Sequence, residues 1–245
     1  VRQWNIGAKD AWLLKPVVLL GVGWRSKKSR KTDFYTKWLL KNILSKDFIH
    51  SVRDSYTEEK LKEIGINNVV NTSCPTMWRL DKAHCSQIPA EKGENVVLVL
   101  TDYSRNRELD QQLLDILKKE YKKIFFWCQG KSDYNYFQAL NNNQDVIILD
   151  SSVSAYNKLL SDDTISLDYV GTRLHGGIRA LQKKRRAVII GVDHRSLQKK
   201  DDFNLPVIYR YSPKEALQHY ISSSFPTEIN IPRGNIKAWV NQFHD

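Results

Sequence analysis

The sequence predicts an α/β protein built of two doubly wound parallel sheets, and three observations carry that expectation. Short apolar, β-branched runs alternate with segments of helical period, the pattern of parallel strands joined by helices. The alternation breaks at the polar stretch "SQIPAEKGEN" after Cys85, which contains Pro89 and Gly93, and then restarts. The chain has 245 residues, 41% hydrophobic and 27% charged, a globular balance long enough to bury a core on each side of the break. The lobes expected are residues 1–88 and 89–245.

Taken in order, residues 17–21 read as a strand because they form a compact apolar run ending at a glycine. Residues 34–44 read as an amphipathic helix, with apolar side chains at 34, 35, 38, 39, 40, 43 and 44. A strand at 48–52, a helix at 57–64 and a strand at 68–71 complete a β-α-β-α-β half. Beyond the break, strands are expected at 96–101, 124–128, 145–149, 167–171 and 187–191. Helices are expected between them at 107–120, 132–140, 153–160 and 177–183, with another starting near Ser196. In the tail, "SPKEALQHYI" has a Ser-Pro start suited to a helix N-terminus, and "PRGNIKAWVNQF" suits a closing helix. The opening "VRQWNIGAKDAW" has no Met and no clear first strand, so part of the first lobe is expected to lie outside this sequence.

A net charge of +11 calls for a negatively charged partner: nucleic acid, an anionic membrane surface, or phosphorylated and carboxylated small molecules. Cys74, Cys85 and Cys128 form no CxxC pair, and only His84 stands beside one of them, so free thiols in a reducing compartment are expected. The apolar runs are too short to cross a bilayer, and no signal peptide is visible. A cytoplasmic protein, with peripheral contact at the inner membrane surface, is the expectation.

Open α/β sheets bind ligands at the carboxyl ends of their strands, so polar residues just after strands are the candidates. Gly21 and Gly23 introduce "GVGWRSKKSRK", whose Arg25, Lys27, Lys28, Arg30 and Lys31 suit either an anionic ligand or a solvated basic loop. Arg53 and Asp54 follow the strand at 48–52. There the arginine either presents its fork of donors to a carboxylate or phosphate, or simply pairs with Asp54. In "YVGTRLHGGIRAL", Arg173 supplies fixed charge, His175 can exchange a proton near neutral pH, and Gly176 and Gly177 leave room for a ligand. Asp193, His194 and Arg195 follow the strand at 187–191. Asp193 is a candidate to orient a base or to accept sugar hydroxyls, with helix capping as the plainer reading.

Together, "SVRDSYTEEKLKEIGINN", "TSCPTMW", "DYVGTRLHGGIRALQ" and "VIIGVDHR" resemble the polysaccharide pyruvyl transferase family over nearly the whole chain. The resemblance implies two Rossmann-like lobes similar to a B-type glycosyltransferase, the N-terminal lobe incomplete here. It implies transfer of the pyruvyl group of phosphoenolpyruvate onto two hydroxyls of a sugar in a surface or exopolysaccharide precursor, forming a ketal and releasing phosphate. The partners implied are phosphoenolpyruvate and a glycan or sugar-lipid acceptor, with no nucleic acid, and the co-substrate replaces any cofactor or metal. Arg53 and Arg173, one from each lobe, would hold the donor's two anionic groups, with Gly23, Leu174, Gly176 and Arg195 also at the substrate. His175 is the expected proton donor, and Asp54 and Asp193 are the candidates for the base. Where the family often has an aspartate before a proline, this chain has Cys74 before Pro75. Two other readings are a nucleotide-sugar glycosyltransferase of similar fold and a noncatalytic binder of anionic ligands.

Overall fold

Five of the expected strands and one more form a single fully parallel sheet, and its strand order positions the chemistry. The computed structural model describes residues 6–24, 32–140 and 144–244, so the five basic residues from Arg25 to Lys31 lie outside the described residues. The chain divides into two compact units, residues 1–78 with 230–245 and residues 79–229.

In the first unit, β1 (His50–Val52) pairs in parallel with β2 (Val69–Asn71), flanked by α1 (Ala8–Leu14), α2 (Phe34–Ile43) and α3 (Ser55–Glu63). Residues 17–21, expected as a strand, form only one isolated bridge, Val17 to Leu44, and the chain turns at Gly21, where φ is +58°, before a second bridge from Val22 to Val52. The reason lies in their partners. The Leu19 N–H donates to the His50 imidazole and the Gly21 N–H to the Ser51 hydroxyl, so side chains replace ladder carbonyls. The C-terminal helix α11 (Arg233–Asn241) belongs to this unit: Asn235 donates to the Asn71 carbonyl, and Gln242, just past the helix, exchanges two bonds with the Ile49 backbone.

His50 has no exposed surface. Its Nδ1 accepts from Leu19 at 3.2 Å, so Nε2 carries the proton and donates to the Ser45 carbonyl at 2.9 Å. Burial lowers its pKa, against a smaller upward pull from the Ser45 bond. The unfolded chain therefore binds the proton first, and the stability that neutral His50 contributes is intact above about pH 6.5 and lost as the pH falls below it. Urea unfolding of the first unit at pH 8 and pH 5 is expected to show this loss, and a His50→Gln variant to lack that component.

The second unit opens with the short helix α4 (Lys82–Cys85) and then holds β3 (Asn95–Val99), β4 (Lys123–Trp127), β5 (Val146–Leu149), β6 (Leu167–Gly171), β7 (Ala187–Gly191) and β8 (Val207–Tyr209). Their order across the sheet is β5-β4-β3-β6-β7-β8, every neighbouring pair parallel. This is the doubly wound order in which the chain reverses direction between the first and fourth strands of the unit, β3 and β6. Helices α5 (Arg107–Glu120), α6 (Lys131–Gln138), α7 (Val153–Leu160), α8 (Leu174–Gln182), α9 (His194–Phe203) and α10 (Lys214–Ser222) connect or follow the strands. The central strands are mostly apolar because both faces are covered: Val96 to Leu100, Val170, Val188 and Ile189 are all buried.

Among the elements beyond the sequence reading are α1 and β8. The latter is only three residues long and follows Pro206; the proline cannot donate, but its carbonyl accepts from Ile189, which suits a sheet edge. Helix α8 starts three residues earlier than expected, because packing overrides the low helix propensity of Gly176 and Gly177.

Among the described residues no helix is long and apolar enough to cross a membrane. None of the three cysteines forms a disulfide; Cys85 and Cys128 are buried and Cys74 is half-buried. Burial raises the thiol pKa of Cys85 and Cys128, which favours unreactive thiols.

Candidate active site

The carboxyl ends of β3 and β6, at the reversal point, bring an arginine and two aspartates together. Arg173 is the N-cap residue of α8 but makes no side-chain cap, because its guanidinium turns back across the strand ends. Its Nη2 donates to both carboxylate oxygens of Asp133, at 2.7 and 2.8 Å, and to Asp102 at 3.2 Å; its Nε donates to the Leu100 carbonyl at 3.4 Å. Asp133 comes from α6, its side chain 3% exposed, and also accepts from the Gln129 and Asp102 backbone N–H groups. Asp102 comes from the turn after β3, its side chain 35% exposed. Arg173 is thus fixed against a buried carboxylate and touches an accessible one.

Next to this cluster, Asp193 caps α9, accepting from the Arg195 and Ser196 N–H groups at 3.0 and 3.2 Å. It also pairs with the Arg195 guanidinium at 2.5 Å. Burial pulls its pKa upward, but the Arg195 bonds and charge prevail and hold the carboxyl below its ordinary range. Tyr103 lies between the two arginines. The Arg173 guanidinium is 5.4 Å and that of Arg195 5.8 Å from its ring centre, and Arg195 donates to its hydroxyl at 3.3 Å.

Leu174 and His175 are the first two residues of α8, the leucine half-buried and the histidine exposed. Gly176 and Gly177 are buried, and the space they leave is taken by protein, not held open for a ligand as expected. A Cβ on Gly177 would come within 2.4 Å of Ile189 Cγ1, and one on Gly176 within 3.0 Å of the Tyr169 hydroxyl oxygen. That hydroxyl donates to the Arg173 carbonyl at 2.6 Å, so the glycines let α8 settle on the sheet and thereby place Arg173. Gly177→Ala is expected to destabilise the protein by about 1–3 kcal/mol, read from its urea midpoint.

In the first unit, Arg53 pairs with Asp54, the plainer of the two readings of the sequence, and Gly23 lies beside them. The Arg53 Nε lies 3.5 Å from Asp54 Oδ2, and a Cβ on Gly23 would sit 2.0 Å from that Nε, so the glycine lets the guanidinium lie over the backbone. Asp54 is buried and caps α3, accepting from the Thr57 N–H at 2.8 Å and from the Thr57 hydroxyl. Both aspartates considered as bases are therefore helix caps paired with an arginine.

Asp102, Tyr103 and Asp133 were missed. Asp102 and Tyr103 stand just after an apolar strand, the same signal that singled out Arg53 and Asp193. Asp133 carries no such signal, since it lies inside a helix forty residues from its partner.

A family profile described as polysaccharide pyruvyl transferase matches residues 13–194, more than half of the chain, and comparison with the curated proteins returns no match. The matched span contains every residue placed above in either arginine cluster except Arg195 and Ser196, which fall just past its end.

Proposed function

Because the chain belongs to the polysaccharide pyruvyl transferase family and is an enzyme of that type, we propose that it moves the pyruvyl group of phosphoenolpyruvate onto two hydroxyls of a sugar. The product is a cyclic pyruvate ketal, and phosphate is released. The observation that supports this most is the run Arg173, Leu174, His175 at the start of α8, at the sheet's reversal point, where ligands of doubly wound sheets bind. Arg173 anchors one anionic group of the donor in a planar fork, and the first N–H groups of α8 add partial positive charge. In the first unit, Arg53 offers a further planar fork for an anion. His175, exposed beside Arg173, gives the proton that turns the donor's methylene carbon into a methyl group. The acceptor is a precursor of a surface polysaccharide, met on the cytoplasmic side, where the net positive charge favours contact with an anionic membrane.

The test is phosphate release from phosphoenolpyruvate in the presence of methyl glucoside, galactoside and mannoside. Release that requires both donor and sugar supports the reading. Tight binding of nucleotide sugars with no binding of phosphoenolpyruvate would overturn it in favour of glycosyl transfer.

A further inference from the structure

Pyruvyl transfer needs a base for the acceptor hydroxyl, and the aspartates suggested by sequence are both engaged as helix caps. We propose that Asp102 is that base and that Tyr103 beside it is the face on which the acceptor sugar rests. The inference rests on the pyruvyl-transfer reading. Asp102 stands directly after β3 at the reversal point, in one turn with Tyr103, and its carboxylate is 35% exposed against 3% for Asp133. Its tie to Arg173 is a single contact of 3.2 Å, whereas Asp133 holds the same nitrogen at 2.7 and 2.8 Å. An anion arriving at Arg173 therefore displaces the weaker contact, and Asp102 is released with an accessible carboxylate next to the bound donor. Tyr103 is 56% exposed. Two guanidinium groups near its ring and a bond from Arg195 to its hydroxyl fix the ring, leaving an aromatic face of the kind that lines ligand sites.

The steps balance. In the first, the oxygen of one acceptor hydroxyl bonds to C2 of phosphoenolpyruvate, the C2–C3 π pair takes a proton from His175 at C3, and Asp102 takes the hydroxyl proton. In the second, the bond from C2 to the phosphate oxygen breaks and its electron pair leaves with phosphate. The second hydroxyl oxygen bonds to C2; the proton on Asp102 goes to phosphate, and that of the second hydroxyl restores His175. Two hydroxyl protons enter, and the equivalent of one resides on the new methyl group and the other on phosphate.

The experiment combines turnover with direct titration of phosphoenolpyruvate, using the three methyl glycosides as acceptors. Asp102→Asn is expected to lower kcat about 10²–10³-fold, while phosphoenolpyruvate binds as tightly as before or tighter. Tyr103→Ala is expected to raise the acceptor KM about tenfold with donor affinity unchanged. If Asp102→Asn melts early, Asp102→Glu takes its place and must show a reduced kcat with donor affinity retained. Wild-type kcat in either Asp102 variant, or a loss of donor affinity that matches the loss of kcat, overturns the assignment while leaving pyruvyl transfer standing. A wild-type protein that releases no phosphate with any of the three sugars overturns both.

Discussion

Replacing Arg173 with alanine is expected to lower kcat/KM for phosphoenolpyruvate about 10²–10³-fold, the range seen when one preorganised donor to a developing anion is removed. The same change strips Asp133 of its ion pair. The carboxylate keeps the Gln129 and Asp102 N–H groups, so the cost in stability is expected below the usual range for a broken buried pair, at no more than about 3 kcal/mol. The two effects separate cleanly. Asp133→Asn disturbs the same buried pair without removing the guanidinium, so its kcat/KM should fall far less than that of Arg173→Ala. Equal losses in the two variants, at temperatures where both remain folded, would mean that Arg173 only braces the strand ends. Arg173→Lys should recover stability better than activity, because an ammonium meets the carboxylates but does not reproduce the planar fork.

The largest expected loss of stability lies at the amino ends of the strands, opposite the Arg173 cluster. Arg186, just before β7, has no exposed surface and donates to Asp168 of β6 at 2.7 Å and to the carbonyls of Ile221 and Ser223 at 2.9 and 2.7 Å. Asp168 also accepts from the Tyr121 hydroxyl at 2.8 Å and the Gly93 N–H at 3.1 Å. Arg186→Met leaves that carboxylate buried without its cation and two carbonyls without donors, which costs about 3–5 kcal/mol. The melting temperature should fall by about 6–20 °C. Asp168→Leu made together with Arg186→Met should be less damaging than the sum of the two, since the pair then leaves no lone charge. A strictly additive double variant would show that the ion pair is not the coupling.

Most strands and helices were legible because the two periods differ and because strands covered on both faces read as unbroken apolar runs. Where tertiary partners substitute for local ones, the reading fails. Residues 17–21 look like a strand but bond partly to His50 and Ser51 side chains, and α8 begins before two glycines whose purpose, clearance for Ile189 and Tyr169, lies in other elements. In the candidate site, Arg173 was visible from its place after a strand. Its partners were not, because Asp133 and Asp102 meet it only once β3 and β6 lie side by side, an adjacency set by the strand order. Asp102 satisfied the rule used for the others and was passed over among the polar residues of "TDYSRN".

The contacts of Arg186 also bear on the order in which the second unit can be completed during synthesis. Gly93, Tyr121 and Asp168 leave the ribosome well before Ser223, yet the guanidinium that neutralises Asp168 rests its second terminal nitrogen on carbonyls at the end of α10. Nascent chains that stop short of α10 would carry the strands with their ionic hub unsealed, so a ribosome-bound series should become protease-resistant in one step, after residue 223 has emerged.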